Sequence, residues 1–394
     1  MSLKGKKICL GVTGAISAYK ALELTRLLVK EGALVSPVMT ASAAKFVTPL
    51  SLSTLAKSPV YTDLFELTAG SKIGHIELAQ GSDLICVAPA TASVMGKVAS
   101  GIADDLLTTI VMAASCPVLF APSMNTQMWN NSIVVANVAA LKAAGYLFVG
   151  PSEGELACGT TGKGRLAPVE DVLEGIVDTL SVKDLAGEKV LVTAGPTREQ
   201  IDPVRFVSNS SSGRMGYAIA RAAKRRGAEV VLISGPTHLP CPSGVTTVPA
   251  VTAQELSDAC AGYFPQSTIV IMSAAVADYR PVKTFAHKVK KDGGPLTIEM
   301  ERTADVLSQM GKKKKGQFLV GFALETEKME ENAKKKLREK NLDIVVANTP
   351  AGLDSETNQV TIIDRTGASE PLAPMKKDVL ADMILDRVVR LKRG

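Results

Sequence analysis

Small and hydroxyl side chains gather where four apolar runs in the first half end: GVTGAIS (11–17), MTASA (39–43), APATA (88–92) and FAPSMN (120–125). In the first, Gly11 and Gly14 let a ligand approach the backbone. Thr13, Ala15 and Ser17 lead into a helix start, whose amides favour a phosphate. The spacing lacks the third glycine of the dinucleotide fingerprint, so a mononucleotide fits better than a dinucleotide. Thr40, Ser42, Pro89, Ala90, Thr91, Ala92 and Ser123 stand at the other run ends. Their small size leaves room for a flat ring system in a crevice at the strand ends. Three reactive types lie nearby. His75, in SKIGHIELA (71–79), is ordinarily a structural histidine at a helix start. Asn125 closes the fourth run. Cys158 sits among Gly154, Gly159, Gly162 and Gly164, which suits a lid carrying a thiol acid better than a strand core. Cys86 and Cys116 read as core. The adjacent Asp104 and Asp105 read as a helix cap near the ligand. The basic runs 312–315 and 334–340 read, on their own, as solvated helix faces.

The elements that must position these residues alternate. The runs 6–12, 33–39, 83–90 and 117–123 are short and unalternating, as strands buried on both faces are. Ser17–Glu31 carries apolar residues at helical spacing, and Gly32 stops it. After a polar break at 181–188 the pattern restarts. Strands are expected at 189–197, 229–235, 267–275, 317–323 and 342–348, and a helix at about 213–226. The fold class is therefore α/β, with two doubly wound, Rossmann-like domains of mostly parallel sheet at 1–188 and 189–394.

Composition narrows the function. A net charge of +6 over 394 residues is mild, and aromatics at 4% leave no stacking surface, so no nucleic-acid partner is expected. Six scattered cysteines without a CxxC pair, and three histidines far apart, give neither a disulfide framework nor a zinc site. A reducing, cytoplasmic setting follows. The basic N-terminus runs into an apolar stretch broken at Gly11 and Gly14, unlike a signal peptide. No stretch reaches the ~18 apolar residues of a membrane span.

The motifs GVTGAIS, GHIELA, APATA, SGIADDLL (100–107), PSMNTQMW (122–129) and LACGTTGKGRL (156–166) resemble those of the homo-oligomeric flavin-containing cysteine decarboxylases. TAGPTREQIDPVRFVSNSSSGRMG (193–216), SAAVADYRP (273–281), HKVKK (287–291), GFALET (321–326) and KNLDIVVAN (340–348) resemble phosphopantothenate–cysteine ligases. Together, in this order, they resemble the bacterial bifunctional flavoproteins of coenzyme A biosynthesis, over nearly the whole chain.

The resemblance implies CTP-dependent joining of 4′-phosphopantothenate to cysteine through an acyl-cytidylate. FMN-dependent oxidative decarboxylation to 4′-phosphopantetheine would follow, with the flavin as electron sink. It implies that His75 assists the first step of decarboxylation, that Asn125 holds the substrate carboxylate, and that Cys158 donates the closing proton. In the ligase half it implies Asn209 for handling the intermediate and Lys288 for the phosphates and developing charge. It also implies a CTP site of Ser273, Ala274, Ala275, Asp278, Ala304, Asp305, Val306, Phe322, Lys336 and Lys340. Mg²⁺ would accompany CTP, with Asp278 as a candidate ligand. A trimer-based homo-oligomer through the first half is implied as well. Thr91 stands where such sequences often carry serine, which keeps the hydroxyl. Two rival readings are a non-catalytic flavin-binding regulatory subunit and a nicotinamide oxidoreductase. Retention of His75, Asn125 and Cys158 opposes the first; the missing fingerprint opposes the second.

Overall fold

The computed structural model describes residues 3–65, 74–156, 159, 161–290, 296–324, 328–349 and 355–393. They form two compact units, Met1–Ser181 and Val182–Gly394. Residues 182–188, expected to close the first domain, belong to the second unit. Leu185 is buried in that unit's core, its N–H donates to the Arg226 carbonyl, and Asp184 pairs with the Arg226 guanidinium at 2.6 Å.

In the first unit the strands are β1 (Lys7–Val12), β2 (Leu34–Met39), β3 (Leu84–Ala90), β4 (Val118–Pro122) and β5 (Leu147–Phe148). They pair in parallel in the order β2-β1-β3-β4-β5. The order reverses between β1 and β3, which opens a crevice at their carboxyl ends. Unbroken apolar strands suit this sheet because both faces are covered. Ile8, Leu10 and Val12 pack with Leu24, Leu28 and Ile176 on one side; Cys9, Ile85 and Val87 pack with Ile110 and Phe120 on the other. The helices are α1 (Lys20–Lys30), α2 (Pro49–Ala56), α3 (Gly74–Gly81), α4 (Ala92–Ala99), α5 (Leu106–Met112), α6 (Thr126–Trp129), α7 (Ser132–Ala143) and α8 (Val169–Leu180). The helix expected from Ser17 begins as a 3-10 turn, Ile16–Tyr19, before α1 takes over. An antiparallel hairpin, β6 (Ser152–Glu155) and β7 (Thr161–Arg165), is an element the apolar pattern did not announce.

The second unit builds an eight-stranded sheet from β8 (Lys189–Ala194), β11 (Glu229–Ser234), β12 (Thr246–Pro249), β13 (Ile269–Met272), β16 (Phe318–Leu324), β17 (Ile344–Asn348), β19 (Val360–Asp364) and β20 (Ser369–Pro371). The order is β12-β11-β8-β13-β16-β17-β19-β20, parallel as far as β17; β19 and β20 then run antiparallel. The reversal of order falls between β8 and β13. Small antiparallel pairs decorate the sheet: β9 (Arg198–Gln200) with β10 (Phe206–Ser208), β14 (Tyr279–Pro281) with β15 (Met300–Arg302), and β18 (Thr357–Asn358) with β21 (Met375–Lys376). The helices are α9 (Arg214–Arg225), α10 (Ala253–Tyr263), α11 (Val306–Lys313), α12 (Met329–Glu339) and α13 (Lys377–Arg393). The lysine run 312–315 is not all solvated. Lys314 reaches the buried Asp343 carboxylate at 2.7 Å, and that carboxylate also accepts the Leu319 N–H. Among the described residues no helix is long and apolar enough to cross a membrane.

Candidate functional sites

Each unit has a cavity at the carboxyl ends of its parallel strands. The first measures about 510 Å³ and is lined by Thr13, Gly14 and Ala15 after β1, Thr40 and Ser42 after β2, Thr91 and Ala92 after β3, and Ser123 and Asn125 after β4. Thr13 is 1% exposed and acts as a rivet across the reversal point. Its hydroxyl donates to the Pro89 carbonyl at 2.8 Å and accepts the Thr91 N–H at 3.1 Å. Gly14 is required by close approach: a Cβ there would stand 2.4 Å from the Ser42 Cβ. Three expected residues support the site from behind. Ser17 donates to the Ser123 hydroxyl at 2.7 Å, Pro89 supplies its carbonyl, and Ala90 is fully buried.

The remaining first-half candidates are placed unequally. Asn125 caps α6, its side-chain oxygen accepting the Gln127 N–H at 2.8 Å. His75 is the second residue of α3 and does not line the cavity. Its Nδ1 is buried and has no hydrogen-bond partner among the described residues. Cys158 lies outside the described residues. Asp105 caps α5 through a capping box with Thr108. Asp105 also lines the cavity, where a helix cap near the ligand was expected; Lys97 lines it too, and sequence reasoning did not assign that lysine to it. Lys97 bridges Asp104 at 2.7 Å and Asp105 at 3.4 Å. The Asp104 carboxylate, ahead of opposing burial, raises the lysine's pKa, and the lysine in turn lowers that of Asp104.

These residues fit a flavin mononucleotide. The hydroxyls of Thr40, Ser42, Thr91 and Ser123 suit a phosphate, and small residues at the strand ends leave room for a ring.

The second cavity measures about 730 Å³. Its floor repeats the rivet: Thr193, fully buried at the end of β8, accepts the Ala274 N–H at 3.1 Å on its hydroxyl, while its carbonyl accepts from Ser273 at 2.6 Å. Ser273, Ala274, Ala275, Asp278, Ala304, Asp305, Val306, Phe322, Lys336, Lys340 and Asn209, named from the resemblance, all line it. Asn209 donates its amide to the Ala275 carbonyl at 2.6 Å and accepts the Ser211 N–H at 3.1 Å. Lys336 donates to the Phe322 carbonyl at 2.7 Å. Lys340 meets Asp305 at 2.7 Å. Burial opposes ionisation of Asp305, but the Lys340 ammonium and the Ser308 N–H outweigh it and keep the carboxyl below its usual range. Gly216 lets α9 pack tightly; a Cβ there would lie 2.5 Å from the Ala194 Cβ and 2.6 Å from the Ser273 hydroxyl.

Lys288 is the exception. It is exposed, on the segment 282–290, and does not line the cavity. Asp278 lines the wall, but among the described residues no group of three or more His, Cys, Asp or Glu could hold a metal. Arg214, Arg302, Asn348, Asn358 and Lys377 line it as well. Asn348 ends an expected strand and was legible in principle. Asn358 and Lys377 arrive on the antiparallel return, which left no apolar run to flag it.

The Flavoprotein family matches residues 1–181, and the family described as DNA/pantothenate metabolism flavoprotein C-terminal domain matches residues 185–391. The chain is 46% identical to the coenzyme A biosynthesis bifunctional protein CoaBC of Bacillus subtilis, over 99% of this chain and 98% of that protein. It is 43% identical to the protein of the same name from Vibrio cholerae, over 98% of each. A crystal structure of the C-terminal domain of a coenzyme A biosynthesis bifunctional protein CoaBC is 45% identical, covering 53% of this chain and 97% of that one, with a TM-score of 0.47.

Proposed function

The chain belongs to the family of bifunctional coenzyme A biosynthesis proteins, and from that premise we propose that its two cavities carry out consecutive steps. The second unit is a ligase that joins 4′-phosphopantothenate to cysteine. The first is a flavoprotein decarboxylase that converts the product to 4′-phosphopantetheine. The single observation that carries this reading is the likeness to bifunctional relatives along 99% of the chain, so that both halves are matched together.

In the first cavity the loop 13–15 and the hydroxyls of Thr40, Ser42, Thr91 and Ser123 bind FMN. When bound, FMN supplies two-electron chemistry, accepting and returning a hydride. The chain's own residues bind, orient and move protons. The Asn125 amide can both donate to and accept from a substrate on the cavity rim, which suits a carboxylate. The unpartnered Nδ1 of His75 supports a role for its ring beside the substrate. Cys158 is assigned the final proton transfer on the resemblance and on its glycine-rich sequence setting.

In the second cavity, CTP activates the carboxylate of 4′-phosphopantothenate as an acyl-cytidylate with release of pyrophosphate, and the cysteine amine then displaces CMP. Mg²⁺ would accompany the triphosphate and offset its charge, with Asp278 as the candidate ligand. Lys336 and Lys340 supply positive charge on one wall. The Asn209 amide and the amides of 212–213 suit an oxyanion or phosphate. Lys288 serves the phosphates or the acyl-transfer step.

A homo-oligomer, trimer-based through the first unit, is part of the proposal. Ile16 and Met128 on the first cavity's rim are 60% and 48% exposed, an apolar surface a neighbour would cover. The cytoplasm is the expected compartment.

The test is direct. Purified flavin-loaded protein is incubated with 4′-phosphopantothenate, cysteine, CTP and Mg²⁺, and the products are identified by mass. 4′-Phosphopantetheine is expected. Folded, flavin-loaded protein that yields neither it nor phosphopantothenoylcysteine would defeat the reading.

A further inference from the structure

Lys288 stands apart from the cavity its chemistry belongs to, so whatever fixes its backbone governs whether it reaches the reaction. The segment 282–290 has few anchors. The Val282 N–H donates to the Glu299 carbonyl at 3.0 Å and the Phe285 N–H to the Ile201 carbonyl at 2.9 Å. Thr284 reaches the Gln200 carbonyl at 3.4 Å. The anchor beside Lys288 is of a different kind. Both backbone polar groups of Val289 are taken by one ion pair: its N–H donates to Asp202 Oδ2 at 3.2 Å, and its carbonyl accepts from Arg205 Nη2 at 3.0 Å.

Asp202 is fully buried, which for a carboxylate is costly unless every lone pair is used. It is used fully. Oδ1 accepts the N–H groups of Val204 and Arg205 at 2.9 and 2.8 Å. Oδ2 accepts Arg205 Nε at 2.9 Å, Arg205 Nη2 at 2.5 Å and the Val289 N–H. A turn at 202–205 needs only the Oδ1 contacts, and a neutral asparagine would make them. The charged half of the group is spent on Arg205 and on Val289. The same turn lies at the tip of the hairpin β9–β10, and β10 leads directly into Asn209 on the cavity wall.

We propose that Asp202 is a positioning residue for the ligase reaction: through Arg205 it clamps Val289 and so sets Lys288 relative to Asn209. This rests on the reading of Lys288 as a participant in ligation, and the experiment separates the two. Asp202→Asn, Lys288→Gln and the double variant are made in the full-length flavin-loaded protein. CMP release is measured against CTP concentration, with decarboxylation of supplied phosphopantothenoylcysteine as the control for the other unit.

Asp202→Asn is expected to move the same parameter that Lys288→Gln moves, kcat or the KM for CTP, by up to about 100-fold, the scale of a misplaced group. The double variant should move it no further than Lys288→Gln alone, because one residue acts through the other. A merely structural aspartate would shift both parameters, and its loss would multiply with that of Lys288. Multiplied losses, or normal flux in Asp202→Asn beside a disabled Lys288→Gln, overturn the proposal while leaving the reading of Lys288 intact. Normal flux in Lys288→Gln overturns both. Should Asp202→Asn fail to fold, Arg205→Lys keeps the cation but loses the second nitrogen that grips the Val289 carbonyl. A reduced kcat or raised KM that is again non-additive with Lys288→Gln supports the clamp; full ligase flux contradicts it.

Discussion

The two cavities are built on the same plan and charged differently. In each, a buried threonine at the end of the unit's first strand, Thr13 or Thr193, ties that strand to the segment leaving its neighbour across the reversal point. In each, a glycine allows close approach where a Cβ would collide, Gly14 against Ser42 and Gly216 against Ala194. The lining then diverges. Among the described residues the first cavity carries Lys97, already balanced by Asp104 and Asp105, and is otherwise small and neutral. The second carries Arg214, Arg302, Lys336, Lys340 and Lys377 against Asp278 and Asp305. A neutral crevice of small residues suits a flat ring held by its one phosphate. A cationic crevice suits substrates that bring a triphosphate and a phosphate monoester together. The same doubly wound frame thus serves two chemistries, and the difference lies in the residues that arrive from outside the strand ends.

The glycines should break this comparison most visibly. Gly216→Val drives a side chain into Ala194 and Ser273, and ligase flux is expected to fall by more than about 100-fold. FMN absorbance and decarboxylation of supplied phosphopantothenoylcysteine should persist. Gly14→Val is the mirror case: protein without bound FMN, releasing CMP normally. A variant of either kind that silences both activities would mean the cavities are not independent.

Lys340→Gln sharpens the electrostatic half of the comparison. It removes a cation from the second cavity and leaves Asp305 unpaired. CTP affinity, measured by calorimetry, should weaken about tenfold, equivalent to about 1.4 kcal/mol. Unchanged CTP affinity would show that the charge on that wall is incidental.

The threonine rivets predict smaller, matched effects on stability. Thr193→Val leaves the Ala274 N–H without its hydroxyl partner, and Thr13→Val does the same to the Thr91 N–H. Each should cost about 1 to 3 kcal/mol, the range for an orphaned buried donor, in denaturant unfolding of its own unit. A cost in the wrong unit, or none in either, would dissolve the parallel.

A pH effect distinguishes the second unit further. The Arg205 guanidinium, with the N–H groups of Val204, Arg205 and Val289, holds Asp202 well below the usual carboxylate range against opposing burial. A carboxyl whose pKa is lower folded than unfolded stabilises fully above the unfolded value, ~3.9, and the contribution is lost as pH falls through the folded value. The gap in thermal midpoint between the parent protein and Asp202→Asn should therefore be widest near neutrality and close in strong acid. A gap that widens on acidification would contradict the ionised clamp.

How far the sequence reached follows from where each residue sits. Strand ends announce themselves, because a short apolar run must stop at a turn; that made Thr13, Thr40, Thr91 and Ser123 legible, whereas Ser273 was legible only through the resemblance. The Asp105 cap was legible from its paired carboxylates at a helix start, whereas Lys97 was missed because it comes from α4, whose facing direction no local pattern reveals. Lys377 was missed because an antiparallel return carries it back to the cavity from far along the chain. Lys288 was legible only as part of a basic run and a resemblance. Its relation to Asp202 depends on a hydrogen bond spanning 87 residues, which no spacing rule encodes.

The independence of the two sites is tested most directly by Asn209→Asp. This substitution puts a negative charge where the side-chain amide now faces the second cavity, beside Ala275 and Ser211. Two rates are followed in the one full-length variant: CMP release from CTP with 4′-phosphopantothenate and cysteine, and carbon dioxide release from supplied phosphopantothenoylcysteine. The account predicts that the first collapses and the second stays at the parent rate. Equal loss of both rates, or an undisturbed CMP release, would contradict it.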